Sequence, residues 1–266
     1  AYLDRDKTIL KNKRNILMLP KVPELAEIHK NVNVRCILDG ELAVIKDGRP
    51  DFFEIQKRSM MSNPVKIDMA AKKYPACFTA FDILYYENRQ VTDLPLTERK
   101  ELLQKAVISE NGRFAVSRFI EKNGIQFYAL AEQQELEGIV AKRKDSKYYF
   151  DKRTKDWIKI KYLQDDDFVV LGYVILGQYS NGQLVYKGHV TLGVGGEPFR
   201  RIKTLNKTDC PFSEIPKGNE NAVWVTPELV CTVKYMMKTE SGGMRQPVFK
   251  GLREDKSPEE CIDNIT

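Results

Sequence analysis

Histidine is nearly absent from this sequence: only His29 and His189 occur among 266 residues. A histidine-based triad and a histidine-rich metal centre both lose their usual groups. The two histidines read as surface or packing residues. Cysteine is sparse as well. Cys36, Cys77, Cys210, Cys231 and Cys261 are scattered, odd in number and free of any Cys-x-x-Cys pair. That argues against a disulfide framework and against a zinc site, and makes a reducing, cytosolic compartment the expectation. No apolar run approaches the ~20 residues of a membrane-spanning helix. No secretory signal opens the chain, and no internal repeat or low-complexity tract interrupts it. Residue 1 is Ala rather than Met, which reads as a fragment of a longer chain.

What is present suits a folded globular chain. Hydrophobic residues make up 42% and charged residues 30%, and the length allows one large domain or two ordinary ones. The net charge of +6 is unevenly spread. Residues 1–163 carry 31 Lys+Arg against 23 Asp+Glu, a balance of +8, and residues 164–266 carry 12 against 14, a balance of −2. A basic front half suits polyphosphate or nucleic-acid contact, although lysine-rich solubility gives the same balance.

Hydrophobic patterning predicts strands over Arg35–Ile45 and Ala76–Tyr85, with Asp47-Gly48 as the turn that ends the first. It predicts helices over Leu96–Val107 and Ile125–Leu136, and short strands over Gly138–Lys142 and Trp157–Lys161. The texture changes near Gln164. The acidic run Asp165-Asp166-Asp167 reads as a charged linker, and beyond it short strands alternate with turn clusters such as Ser180-Asn181-Gly182 and Pro216-Lys217-Gly218-Asn219. This is the pattern of a small β-barrel or sandwich. The expected division is 1–163 and 164–266.

Five segments carry candidate chemistry. In Asp39-Gly40-Glu41 two carboxylates share one face of an apolar strand, which is costly unless they bind something. In Phe81-Asp82 an aromatic ring can stack on a base with an acid nearby, while a core phenylalanine is the plainer alternative. Glu137 and Lys142 bracket a short apolar strand. Lys159 and Lys161 share one face of the next strand, where an anion such as a triphosphate relieves their repulsion. Between these two strands, Arg143, Lys144, Lys147, Lys152, Arg153 and Lys155 interleave with Tyr148, Tyr149 and Phe150. That suits a nucleic-acid backbone or a solvated loop. Near the end stands Arg253-Glu254-Asp255-Lys256.

In order, these segments resemble the motif series of covalent nucleotidyltransferases, specifically ATP-dependent DNA ligases. Asp39-Gly40-Glu41 looks like motif III, Phe81-Asp82 like motif IIIa and Glu137-Gly138 like motif IV. Lys159 and Lys161 look like motif V, and Arg253 to Lys256 like motif VI. The stretch from Pro247 and Phe249 through Gly251-Leu252-Arg253-Glu254-Asp255-Lys256 is similar to the bacterial ligase D type of end-joining enzyme. Lys13-Arg14-Asn15 sits where the family has an Arg-Asn loop.

The resemblance implies an α+β fold: a nucleotidyltransferase (adenylation) domain with antiparallel sheets and flanking helices, followed by an OB-fold β-barrel. It implies ATP as AMP donor, Mg²⁺ or Mn²⁺ as cofactor, nicked double-stranded DNA as substrate and a monomer in the cytoplasm. End-joining partners of the Ku, polymerase or nuclease type are further expectations. Carried over residue by residue, Phe81 stacks on adenine, Glu41 holds the ribose or lies near the metal, and Glu137 binds the metal. Lys159 and Lys161 hold the α-phosphate, and Arg14 meets the ribose or the nick phosphate. Arg253 and Lys256 orient the pyrophosphate after rotation of the OB domain about a hinge near Gln164, with Arg245 assisting them or touching DNA. The family's Lys-x-Asp-Gly nucleophile motif does not occur in the sequence. Its expected place lies before Tyr2, which reads as truncation; an inactive, non-catalytic nucleic-acid-binding paralogue is the alternative. Within the superfamily the rivals are an RNA ligase and a capping guanylyltransferase.

Overall fold

Two long strands with alternating burial organise the front of the molecule. The computed structural model describes every residue except Asp47, Gly48, Glu135, Glu240, Ser241 and 264–266, and the side chains of Arg49 and Phe52. The Asp47-Gly48 turn therefore lies outside the described residues. The chain opens with β1 (Tyr2–Asp4) and β2 (Lys7–Ile9), then runs into β3 (Cys36–Lys46) and the short β4 (Arg49–Asp51). Helices α1 (Phe52–Met60) and α2 (Pro64–Lys73) lead to β5 (Ala76–Tyr86) and β6 (Arg89–Gln90). Helix α3 (Leu96–Ala106) and β7 (Phe114–Val116) complete this part.

These strands form a seven-stranded sheet of order β2-β1-β3-β5-β6, with β4 on β3 and β7 on β5. Among the described residues of this sheet, only the β5–β7 pair is parallel. Leu38 and Val44 of β3 and Phe78, Ala80 and Ile83 of β5 join Leu3, Leu25, Leu103 and Phe114 in one core. Alternate residues of β3 consequently leave Asp39 half-buried and Glu41 exposed on the other face.

Helices α1 and α2 escape a reading of apolar periodicity, because few of their residues are buried. They begin on side-chain caps instead. Asp51 accepts from the Glu54 amide at 2.9 Å, and Asn63 accepts from Val65 and Lys66 at 3.0 and 3.2 Å, with Pro64 in the first turn.

Helix α4 (Gly124–Gln133) then precedes a two-stranded ribbon of β8 (Gly138–Lys142) and β9 (Trp157–Lys161). Five antiparallel strands follow: β10 (Gln164–Val170), β11 (Ile175–Ser180), β12 (Gln183–His189), β13 (Val230–Tyr235) and β14 (Val248–Arg253), with helix α5 (Gly196–Thr204) after the third. Their order is β12-β11-β10-β13-β14, and Leu192 bridges Val248 in parallel, so the third and fifth strands approach each other. That is the partly open five-stranded Greek-key barrel of the OB fold. Asn181 and Gly182, both at positive φ, make the two-residue turn between β11 and β12 that the sequence signalled. Helix α5 interrupts the succession of short strands expected beyond Gln164.

The acidic run is not a linker: Asp165, Asp166 and Asp167 sit inside β10, in register with Lys234, Val233 and Thr232 of β13. Two compact units interleave along the chain. The first holds Ala1–Gly124 and Val140–Ile158, the second Ile125–Ile139 and Lys159–Thr266. The Tyr162 amide bonds the Glu137 carbonyl at 3.0 Å, and Gly138 packs against Ile160 and Lys161, so the start of β8 and the end of β9 stay together.

Candidate active site

The β3–β5 pair places the first group of candidate residues. Its register skips one residue on β5 between Ile83 and Tyr85 and another between Ala80 and Asp82, the second at Phe81. A bulge re-aims the extra side chain, and Phe81 is half-buried rather than part of the core. Gly40 faces this irregularity. A β-carbon there would overlap the Phe78 ring and lie 2.6 Å from the Thr79 carbonyl oxygen, so the motif's central position admits only glycine.

Asp82 turns the opposite way and is fully buried. Its carboxylate accepts a bidentate pair from Arg99 of α3, Nε at 2.8 Å and Nη2 at 2.9 Å, and the same guanidinium donates to the carbonyls of Leu94 and Ser146. Asp82 is thus a structural anchor, correcting the expectation of an acid beside a stacked base.

Around Phe81 the first unit assembles an aromatic cluster. Trp157 meets Phe81 edge-on at 6.2 Å, Tyr148 meets Trp157 at 5.7 Å, and Phe150 meets Tyr148 at 5.3 Å. The Tyr148 hydroxyl donates to Asp39 Oδ2 at 2.7 Å. Burial and the adjacent carboxylate push that phenol well above its ordinary range. The Lys142 ammonium stands 3.6 Å from the Trp157 ring centre and 4.5 Å from that of Phe81. Desolvation lowers its pKa to about 8, against the opposing pull of Asp82 and Asp39.

This depressed base makes a pH prediction. Between about 8 and the ordinary value of 10.5 the unfolded chain binds the proton that the folded chain has released, so stability rises with pH across that window. The cost of the charged form is complete below 8. Relative to Lys142→Met, the melting temperature should climb from pH 8 to 10.5, and Trp157 emission should titrate near pH 8 in the parent only. A flat difference between the two proteins would remove the assignment.

The second unit holds the other group. Gly138 has φ +130°, and a β-carbon there would strike the Ile160 carbonyl and lie 2.7 Å from the Lys161 α-carbon. Motif IV is thereby pressed against motif V. The exposed Glu137 carboxylate is paired with Arg245, and the next residue, Gln246, accepts from Lys161 Nζ at 2.9 Å. Lys159 is exposed and makes no ion pair among the described residues. On the barrel, Arg253 Nη1 and Lys256 Nζ both reach Asp167 Oδ2, at 3.1 and 3.0 Å. Asp255 grips the other edge of Arg253 with two bonds of 2.7 Å.

The structure therefore sorts the expected site residues into two sets. Glu41, Phe81 and Arg14 belong to the first unit; Glu137, Lys159, Lys161, Arg253 and Lys256 belong to the second. Arg14 lies on an exposed loop shaped by Asn12, whose side chain accepts from the amides of Arg14 and Ile16. No group of three or more His, Cys, Asp or Glu residues suited to a metal occurs among the described residues. The basic tract is partly neutralised by ion pairs of Arg143 with Asp145, Lys144 with Glu121 and Lys147 with Asp93. Sequence reasoning marked Lys142 only as the far end of the strand that Glu137 opens, and gave no role to Trp157 or Arg99.

Residues 5–161 match the family model "ATP dependent DNA ligase domain", and residues 169–256 match "ATP dependent DNA ligase C terminal region". The chain belongs to the ATP-dependent DNA ligase family. It is 30% identical to the multifunctional non-homologous end joining protein LigD of Pseudomonas aeruginosa over 85% of its own length and 28% of that protein. It is 29% identical to the LigD of Mycolicibacterium smegmatis over 90% of itself and 31% of the relative. The chain thus spans about a third of the length of these relatives. Among solved structures, a mycobacterial DNA ligase D complexed with ATP and MES superposes with a TM-score of 0.55 at 26% identity, covering 99% of this chain and 88% of the other. The ligase motif order read from the sequence, an adenylation-type region followed by an OB-type region, agrees with both family matches.

Proposed function

We propose that the protein carrying this chain is an ATP-dependent DNA ligase that seals nicks in duplex DNA during end joining or repair. The observation that carries the proposal is a bulged, half-buried Phe81 in an aromatic cluster with the Lys142 ammonium over its ring, within a chain that belongs to this family.

Nick sealing is a series of displacements at phosphorus, so it needs positioning and cations more than acid–base groups. Phe81 stacks on adenine, Lys159 and Lys161 hold the α-phosphate, and Arg14 and Glu41 meet the ribose or the nick. Glu137 suits a divalent ion of the Mg²⁺ or Mn²⁺ type, because such ions accept one or two carboxylates and take their other ligands from phosphates and water. When bound, the ion neutralises charge developing on phosphate oxygens. Glu137 must first release Arg245. Lys152, Arg153 and Lys155 suit the DNA backbone. Residues 1–163 act as the adenylation region and 164–266 as the OB region. The lysine that attacks ATP is supplied by no Lys-x-Asp-Gly in this sequence, so the chemistry is proposed for the full-length protein.

The test is incubation of the full-length protein with α-labelled ATP or GTP, followed by nicked duplex DNA or nicked RNA. A protein–AMP adduct from ATP and sealing of DNA are expected. Labelling by GTP alone would move the protein to the capping class. DNA binding with no adduct would make it a non-catalytic paralogue.

A further inference from the structure

One carboxylate outside every motif binds both cations of motif VI. Asp167 lies in β10 beside Thr232 of β13. The Thr232 hydroxyl donates to Oδ1 at 2.6 Å, and the buried Gln178 side chain donates to the Asp167 carbonyl at 3.0 Å. The residue is thus fixed from two neighbouring strands. Its other oxygen, Oδ2, receives both Arg253 and Lys256. With Asp255 on the far edge of Arg253, two cations face two carboxylates and the cluster carries no net charge. Burial alone would raise the Asp167 pKa, but Thr232, Lys256 and Arg253 override it and hold the group below the usual carboxylate range. Side-chain exposure grades from 13% for Asp167 to 25% for Lys256 and 38% for Arg253, so the cations are reachable while the anion that binds them is screened.

We propose that Asp167 is the positioning residue of motif VI: it gathers Arg253 and Lys256 onto one oxygen, and an incoming pyrophosphate group must take that oxygen's place. The inference rests on the reading that these two cations meet the pyrophosphate of ATP. Asp167 then sets how much anion is needed to engage them. It also keeps two like charges from driving each other apart when no anion is present.

Inorganic pyrophosphate is the probe, titrated calorimetrically into the full-length protein and its variants. Asp167→Asn keeps the size and an acceptor for Thr232 but removes the competing charge. Pyrophosphate should bind on the order of five- to tenfold more tightly, the effect of one partly exposed charge. The KM for ATP in self-adenylation should fall in parallel. Asp165→Asn, two residues earlier on the same strand and facing Lys234, should leave the affinity unchanged. A structural role alone cannot tighten binding, so unchanged or weaker binding in Asp167→Asn overturns the proposal. Arg253→Ala separates the two layers. If it weakens pyrophosphate binding while Asp167→Asn does not tighten it, only the Asp167 proposal falls. If it leaves binding untouched, the motif VI reading falls as well.

Discussion

Replacing Arg99 by alanine is expected to unfold the first unit before it touches any chemistry. The Asp82–Arg99 pair has no exposure on either side chain. Removing the guanidinium strands a buried carboxylate and leaves the Leu94 and Ser146 carbonyls without their donor. Breaking such a pair from one side costs about 3–5 kcal/mol, a large part of a typical domain's stability. Lysine cannot substitute, because its ammonium has no planar fork to serve a bidentate carboxylate and two carbonyls at once. Urea denaturation followed by circular dichroism measures the loss. The double variant Asp82→Leu/Arg99→Met should recover much of it, since two apolar groups leave no charge stranded. A single variant within about 1 kcal/mol of the parent would be incompatible with a dry, fully engaged pair.

The second large effect is expected at Gly138. Alanine there meets a backbone conformation at φ +130° that L-residues avoid, at a cost on the order of 1–3 kcal/mol. Its methyl also collides with the Ile160 carbonyl, which belongs to backbone and cannot turn aside. The strand must shift, carrying Glu137 and the lysines of β9 with it. A displacement of about 1 Å in a positioning group lowers a rate by roughly 10²-fold. In the full-length protein, Gly138→Ala should therefore lose AMP-adduct formation by about that factor while the barrel keeps its melting transition. An alanine variant with parental labelling would show that β8 can move freely past β9.

The sequence made the chemistry legible because charged and aromatic residues at fixed spacings are conspicuous inside apolar strands. Asp39-Gly40-Glu41, Phe81 and the alternating lysines of β9 all stand out this way. What it hid was direction. Nothing in Phe81-Asp82 says that a bulge sends the ring one way and the acid into the core, because the partner that decides it, Arg99, comes from a helix whose arginine reads as solvated. Helices α1, α2 and α5 were hidden for another reason. Each spans fewer than three turns, nine or ten residues, and for the first two the caps at Asp51 and Asn63 are the better signal. Asp165 to Asp167 looked like a linker because three acids in a row are rare in strands; here one of them is occupied by two cations and a hydroxyl.

The chain leaves the first unit after Gly124, returns at Val140 and leaves again after Ile158. Neither body is a contiguous stretch, so no single peptide-bond cleavage can release one of them intact. A cut after Leu163 separates Glu137 from Arg245 and Lys161 from Gln246, pairs now in one unit. The molecule is better dissected as complementary fragments recombined in solution than as two halves expressed alone.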